Sequence, residues 1–561
     1  MKKTLLTLIS LVILLALLVA CTGGDGGAAD TDAETSPKKQ LPGGTGFGSH
    51  AVLEDGQSAY NDTGEGEGET QAGGPEAVVD ISEHLNMKIY IPNDTDEDAK
   101  IPILAEVNKI LKEEINVTLE WVNIASADLQ NRYPLILSSE EPFDLIFTAN
   151  WINYTEHANN GAFIAMDDYF KYAPILLDTV PEHFWAGMKA DDGHFYAMPS
   201  TWQYPRGTNV AYRDDLRKKY GTPEITSMDT LIEFWDAVIE HQSENGNMFP
   251  INLGRDGNVK GLYDNYHDRI DNSSVGKGSN NIFLTYLSQP EKGFDCYYFE
   301  EDFEDWVVLM KEWMDKGYWS RSAQSSQTNS EQNFQAGTGA TMTGHYDTMR
   351  GGTNTALRSD KAKAEGWEVW VFRNDQMLPG GKAAWITALQ DCVSIARQTK
   401  SVERCILLIE QLNCNQEVSD LIQRGIEGVN WTCDELGRSY VAEDQKGFGI
   451  NAWCFRNAFT YRESVFIWPE YEEFDKLHRQ NTIPSPNEGF RFKNANDYAD
   501  FTAEVDSVVA EYHIQMLMGL AADPAATLDA ARLRLTEAGI EEFLAAVNEQ
   551  WDAWWAENKP A

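Results

Sequence analysis

With 561 residues, 42% of them hydrophobic, and 24 Phe, 22 Tyr and 17 Trp, the chain holds enough apolar material for more than one core. Its 45 Lys and Arg against 88 Asp and Glu leave a formal charge of −43. That balance excludes nucleic acid as a partner, because phosphate backbones demand basic side chains, and it disfavours docking by charge on anionic lipid.

The N-terminus opens on Lys2 and Lys3, and Leu5 to Ala20 is apolar apart from Thr7 and Ser10. Small residues then precede Cys21, so residues 1–20 are read as a secretory signal peptide. From 22 to 83 there are two Lys against thirteen acids, a net of −11, and few apolar positions. Such a stretch cannot bury enough surface to fold, so residues 21–82 are expected to form a disordered tether.

Met87–Ile91 begins the folded body as a buried strand. Ile103, Val107, Ile110 and Leu111 then recur at helical spacing, Val117–Val122 alternates as a strand, Leu129–Leu137 reads as a helix, and Asp144–Phe147 as a third strand. Strand, helix, strand, helix, strand predicts a parallel sheet covered by helices, an α/β fold whose ligands sit beyond the carboxyl ends of the strands. Asn93, Asp94, Asn150 and Trp151 fall there. After the turn Asp191-Asp192-Gly193, a short strand Phe195–Met198 leads into Thr201, Trp202, Gln203, Tyr204, Pro205 and Arg206, and a strand over Asn209–Tyr212 follows. Two strands joined by an aromatic, proline-pinned connector suggest a hinge between lobes.

Further along, helices are expected over Met228–Gln242, Asp302–Lys316 and Val402–Leu412, strands over Gly339–Thr343 and Trp367–Phe372, and cleft loops over 254–281. Phe501–Met518, Ala525–Leu535 and Ile540–Trp555 read as three helices packing on the second lobe. Cys392, Cys405 and Cys414 lie in apolar segments, where free thiols are expected, and no metal spacing or CxxC occurs.

Catalytic and metal signatures fail. Asp94, Asp96 and Asp98 start like a calcium loop, but Ala99 replaces its Gly and Ala105 its terminal Glu. No HExxH or GxSxG is present, and no cofactor, metal or catalytic residue is expected. What stands out is aromatic side chains at strand exits and crossovers: Trp151, Trp202, Tyr204, Tyr346, Trp385 and Trp431. A sugar ring offers a C–H face for stacking, while Asn93, Asp94, Gln203, Arg206 and Asp347 could bond its hydroxyls. The competing reading is that each aromatic simply packs in a core or an interface between lobes.

The Leu18-Val19-Ala20-Cys21 end, the acidic tether, and the segments Phe143–Trp151, Gly161–Asp168, Gly193–Pro199 and Tyr212–Leu216 together resemble a family 1 extracellular solute-binding lipoprotein of an ABC importer. Arg424–Trp431 and the last sixty or so residues resemble a long subgroup with its own C-terminal domain, often linked to oligosaccharide uptake. The resemblance implies two α/β lobes of periplasmic-binding-protein type joined by three crossings, placed near 202–208, 377–384 and 412–418. Lobe 1 is then 83–204 plus 380–413, and lobe 2 is 205–379 plus 414–561 with the C-terminal helical extension. It implies lipid attachment, palmitate among the acyl chains, at Cys21 on the extracytoplasmic face of the cell membrane. A carbohydrate is then the ligand, and permease subunits with their ATPase are the partners of a monomeric receptor. Alternatives are a tethered lyase or hydrolase, and a receptor of the same shape for peptides, metals or polyamines.

Overall fold

The computed structural model describes residues 79–559 except 140, 255–258, 272–274, 276–281, 451 and 494. The signal segment, Cys21 and most of the expected tether lie outside the described residues.

The first sheet runs, edge to edge, Val117–Ile124, Leu85–Pro92, Leu145–Thr148, Cys392–Ile395 and Met198–Pro199. Its first three strands are parallel, with Leu85 opposite Val117 and Ile89 opposite Leu145. Cys392–Ile395 then returns antiparallel. The strand expected at 195–198 is shorter, and Pro199 is accommodated because it sits on the sheet edge. The acidic run before the first long helix acts as a helix start: Asp96 accepts from the amides of Asp98 and Ala99. That helix, Glu97–Ile115, buries Ile103, Val107 and Leu111 against the sheet. Ile89, Leu145, Val393 and Ile406 lie in the same core.

The second sheet has the order Val369–Phe372, Asn209–Arg213, Gly339–Gly344 and Phe249–Ile251. Its core gathers Val210, Leu231, Trp235, Phe303 and Trp313. The helices Ala499–Val508, Pro524–Ala538 and Ile540–Asn558 enter this same core through Phe501, Leu528, Leu535, Phe543, Val547 and Trp551. They are a wall of the second lobe.

Two expectations are corrected. Residues 254–281 are not all loop: Lys260–Tyr266 is a helix that buries Leu262 and Tyr263, and Arg269–Asp271 pairs with Phe283–Tyr286. The boundary placed at 413/414 is also displaced. The helix Gln416–Arg424 sends Val418, Leu421 and Ile422 into the first lobe's core, and Ile450, Cys454 and Phe455 follow them. At Asn413–Gln416 the chain turns a tight corner instead of crossing, and Asn415 caps the next helix by accepting from Glu417 and Val418. The chain therefore crosses around 199–209 and 377–392, and for the third time only around 456–468.

The described cysteines Cys296, Cys392, Cys405, Cys414, Cys433 and Cys454 are free thiols.

Candidate functional site

In the first crossing, Gly207 has φ +113, a conformation that side chains other than glycine's rarely adopt, and a Cβ there would strike the Asn374 amide. The turn lets Arg206 offer its carbonyl to Asn374 Nδ2 at 2.6 Å while its own amide donates to Ala384 in the second crossing at 2.7 Å. The connectors are thus tied to each other, and the residues upstream are held at the junction of the lobes.

There Trp202 Nε1 donates to Asp347 Oδ1 at 3.2 Å, and its ring centre lies 4.5 Å from that of Tyr461 in the third crossing. Asp347 also receives Arg456 Nη1 at 2.6 Å. Arg350, one turn along the same helix Tyr346–Arg358, donates to the Tyr461 hydroxyl at 3.0 Å and pairs with Glu463 at 2.6 Å. Next to this network is a cavity of about 210 Å3, lined by Asp347, Arg350, Gly351, Gln423, Arg424, Arg456 and Tyr461. Its walls come from the second lobe's helix, the first lobe's helix Gln416–Arg424, and the third crossing. Anything seated there touches both lobes.

The charges are strongly perturbed. Burial works to raise the Asp347 carboxyl, but Arg456, His345 and Arg350 hold it below the usual carboxylate range. Burial pushes Asp391 up to about 7, with Arg456 opposing and Asp347 reinforcing the shift. A carboxyl whose folded value is raised stabilises the fold fully below its unfolded value, and that contribution is lost as pH rises through about 7. Asp391→Asn should therefore gain thermal stability over the parent protein between pH 5 and pH 8. Melts with a constant difference across that window would show that Asp391 titrates normally.

The sequence candidates fall into two sets. Trp202, Tyr204 and Asp347 come together, with Tyr204 stacked on His345 and Tyr346 at 5.8 and 5.9 Å. Their rings are more enclosed than expected: Trp202 is 6% exposed and stands behind the cavity wall. Gln203 is buried, with its carbonyl accepting from Arg479 at 3.2 Å, and half-buried Trp385 has the Arg479 guanidinium 5.7 Å from its ring. Tyr346 is wholly buried with its hydroxyl on Tyr471 and Asp475. Trp431 is 3% exposed and donates to the Gly425 carbonyl. Neither offers an open face here, and Ile426 and Phe448, either side of Trp431, pack on the first lobe. Packing uses the faces of both rings. Trp151 stays half-buried at the exit of its strand, held by Gln390 at 2.9 Å. Asn93 and Asp94 bond the loop amides of Thr95 and Ser126. Arg206 lines a smaller polar cavity of about 30 Å3 with Asn150, Thr155, Glu488 and Arg491.

A family model described as bacterial extracellular solute-binding protein matches residues 106–406. The chain belongs to that family. A second model, a domain of unknown function, matches 486–556. This solute-binding protein is 21% identical over 489 residues to a carbohydrate ABC transporter substrate-binding protein of Streptococcus pneumoniae serotype 4 (strain ATCC BAA-334 / TIGR4), covering 86% of this chain and 93% of that one. Its fold resembles that of the N-glycan transport solute binding protein NgtS from Streptococcus pneumoniae, with TM-score 0.67, 20% identity, and coverage of 85% and 100%. It also resembles an HMO-binding, ABC-transporter-associated solute binding protein from Bifidobacterium longum infantis, with TM-score 0.58, 13% identity, and coverage of 84% and 99%. The second lobe of this solute-binding protein incorporates the residues that match the domain of unknown function.

Sequence reasoning missed Arg350, Gln423, Arg424, Arg456, Tyr461 and Asp391. One signal was available: Arg350 follows Asp347 by three positions, so both lie on one helix face.

Proposed function

We propose that the protein is a lipid-anchored receptor that closes its two lobes on a carbohydrate, an oligosaccharide, and delivers it to the permease and ATPase subunits of an importer. The observation that carries this reading is the cavity built from both lobes and the third crossing, beside the Trp202, Tyr204 and Tyr461 rings. A ligand favours a closed state only through contacts that the open state lacks, and a cavity with walls on two lobes supplies them. At about 210 Å3 the space is smaller than the ~300–1,000 Å3 of ordinary ligand pockets, so it suits one ring of a longer chain. Support for a sugar comes from the relatives, which are named as carbohydrate, N-glycan and HMO solute-binding proteins. The basic start, apolar run and Cys21 support export and acylation. Binding without turnover is the role proposed.

Titration calorimetry with a panel of oligosaccharides, paired with reducing-end detection, tests the reading. Saturable binding with no released product is expected. Binding confined to peptides or polyamines, or the appearance of new reducing ends, would overturn it.

A further inference from the structure

Three of the seven residues lining the lobe-bridging cavity are arginines, in a protein whose acids outnumber its bases 88 to 45. Two of the three are already neutralised. Arg456 pairs with Asp347 and Arg350 with Glu463, each at 2.6 Å. Arg424 differs: among the described residues no carboxylate stands within ion-pairing distance of it. It donates from Nη2 to the backbone carbonyl of Arg462, which leaves most of its five N–H groups uncommitted. Of the acids nearest in chain, Glu427 accepts from the Cys433 thiol at 3.2 Å, and Asp420 is taken by Arg462, with both carboxylate oxygens 2.8 Å from Nε. Asp391 lies within the influence of Arg456 and Asp347. The Arg350 and Arg424 guanidiniums stand 4.9 and 5.0 Å from the Tyr461 ring centre, one from each lobe's helix. Burial works to raise the Tyr461 phenol, yet these two cations bring it below its ordinary value, so the local potential is positive. An isolated guanidinium held half-buried in a cleft is costly unless an anion joins it. Its planar fork matches a carboxylate or a sulfate through two parallel bonds.

We infer that the ligand of this cavity carries an oxyanion on a sugar ring, a carboxylate or a sulfate ester, which Arg424 grips with Gln423 beside it and Arg350 facing it from the other lobe. This rests on the carbohydrate reading above and sharpens it. The oxyanion would complete the charge balance only when both helices approach it, so it would act as a closing contact. The overall negative charge of the protein makes such a ligand an unfavourable visitor elsewhere on the surface, and the arginine cluster focuses it here.

The test uses uronate-containing and sulfated oligosaccharides, each beside its neutral form made by methyl esterification or desulfation. Dissociation constants are measured by calorimetry at 50 and 500 mM NaCl. The acidic form of at least one pair should bind about tenfold or more tighter than its neutral form, as expected of charge-assisted bonds. That preference should shrink at high salt. Arg424→Gln should collapse the preference and Arg424→Lys should restore part of it, with thermal melts confirming that both variants fold. The uronate and sulfate pairs separately show which oxyanion is preferred. Neutral forms binding as well as acidic ones would overturn the inference and leave the carbohydrate reading intact. No binding of any sugar, acidic or neutral, would overturn both.

Discussion

A chain ended after Pro484 is expected to lose the fold of its second lobe. The removed helices place Phe501, Leu528, Phe543 and Trp551 in the core that also holds Trp235 and Trp313. Trp551 lies 5.3 Å from Phe294 and donates to the Pro290 carbonyl, and Phe543 lies 5.1 Å from Phe283. Trp319 Nε1 donates to the Met518 carbonyl, and His513 Nδ1 shares hydrogen bonds with the hydroxyls of Tyr297 and Tyr298 at 3.3 and 2.8 Å. Burial raises neither ring's polarity problem if these bonds persist; without them, buried donors are stranded at about 1–3 kcal/mol each. Each large apolar side chain contributes about 1.5–3 kcal/mol on burial, so the loss of several matches the ~5–15 kcal/mol that holds a whole domain. The same cut removes Glu488, which accepts from Thr387 and the Ala388 amide in the second crossing. Circular dichroism melts and dye binding would show a non-cooperative second lobe with exposed apolar surface. A truncated protein that melts cooperatively within a few degrees of the parent would mean that the helices are an independent appendage. The single change Trp551→Ala should cost about 3–5 kcal/mol by the same reasoning.

Replacing Trp202 with Ala should weaken folding and binding together. At a crossover between strands, this ring was a candidate for stacking on a sugar, with packing in a core as the competing reading. The structure places it at 6% exposure, with the Tyr461 ring on one side, the Arg350 guanidinium 5.2 Å from its centre, and its N–H on Asp347. Truncation opens a cavity costing about 3–5 kcal/mol and frees both Asp347 and Tyr461 to shift. Asp347 and Tyr461 line the site, so affinity should drop at least tenfold as their positions relax. Trp202→Phe separates the two effects, since it keeps a ring but removes the donor to Asp347. Denaturant unfolding should show a loss of about 1–3 kcal/mol for it, with a smaller loss of affinity by calorimetry. An Ala variant as stable as the parent but unable to bind would place the ring in direct contact with ligand instead.

Much of the architecture was legible because it is local. Alternation and helical spacing located the strands at Leu85–Pro92, Val117–Ile124 and Asn209–Arg213, and all three C-terminal helices, to within a few residues. The aromatic connector at 202–206 was recognised as a junction because a proline and a cluster of rings between two strands cannot continue either ladder. The third crossing, which the family resemblance placed near 412–418, was not legible in the residues around it. Asn413–Gln416 is a helix corner, and only the burial of Val418, Leu421 and Ile422 shows that the chain has not yet left the first lobe.

The amino-acid sequence by itself determined the alternation of strands and helices, the acidic balance of charge, and the presence of an aromatic junction. Those features depend on composition and on neighbours a few positions apart. Only the tertiary structure decided which rings were spent on packing and which cations met. Asp347 and Arg456 are 109 positions apart, and Arg350 and Glu463 are 113 apart. No local periodicity links them, because the pairing is made by two lobes and a late crossing folding against one another.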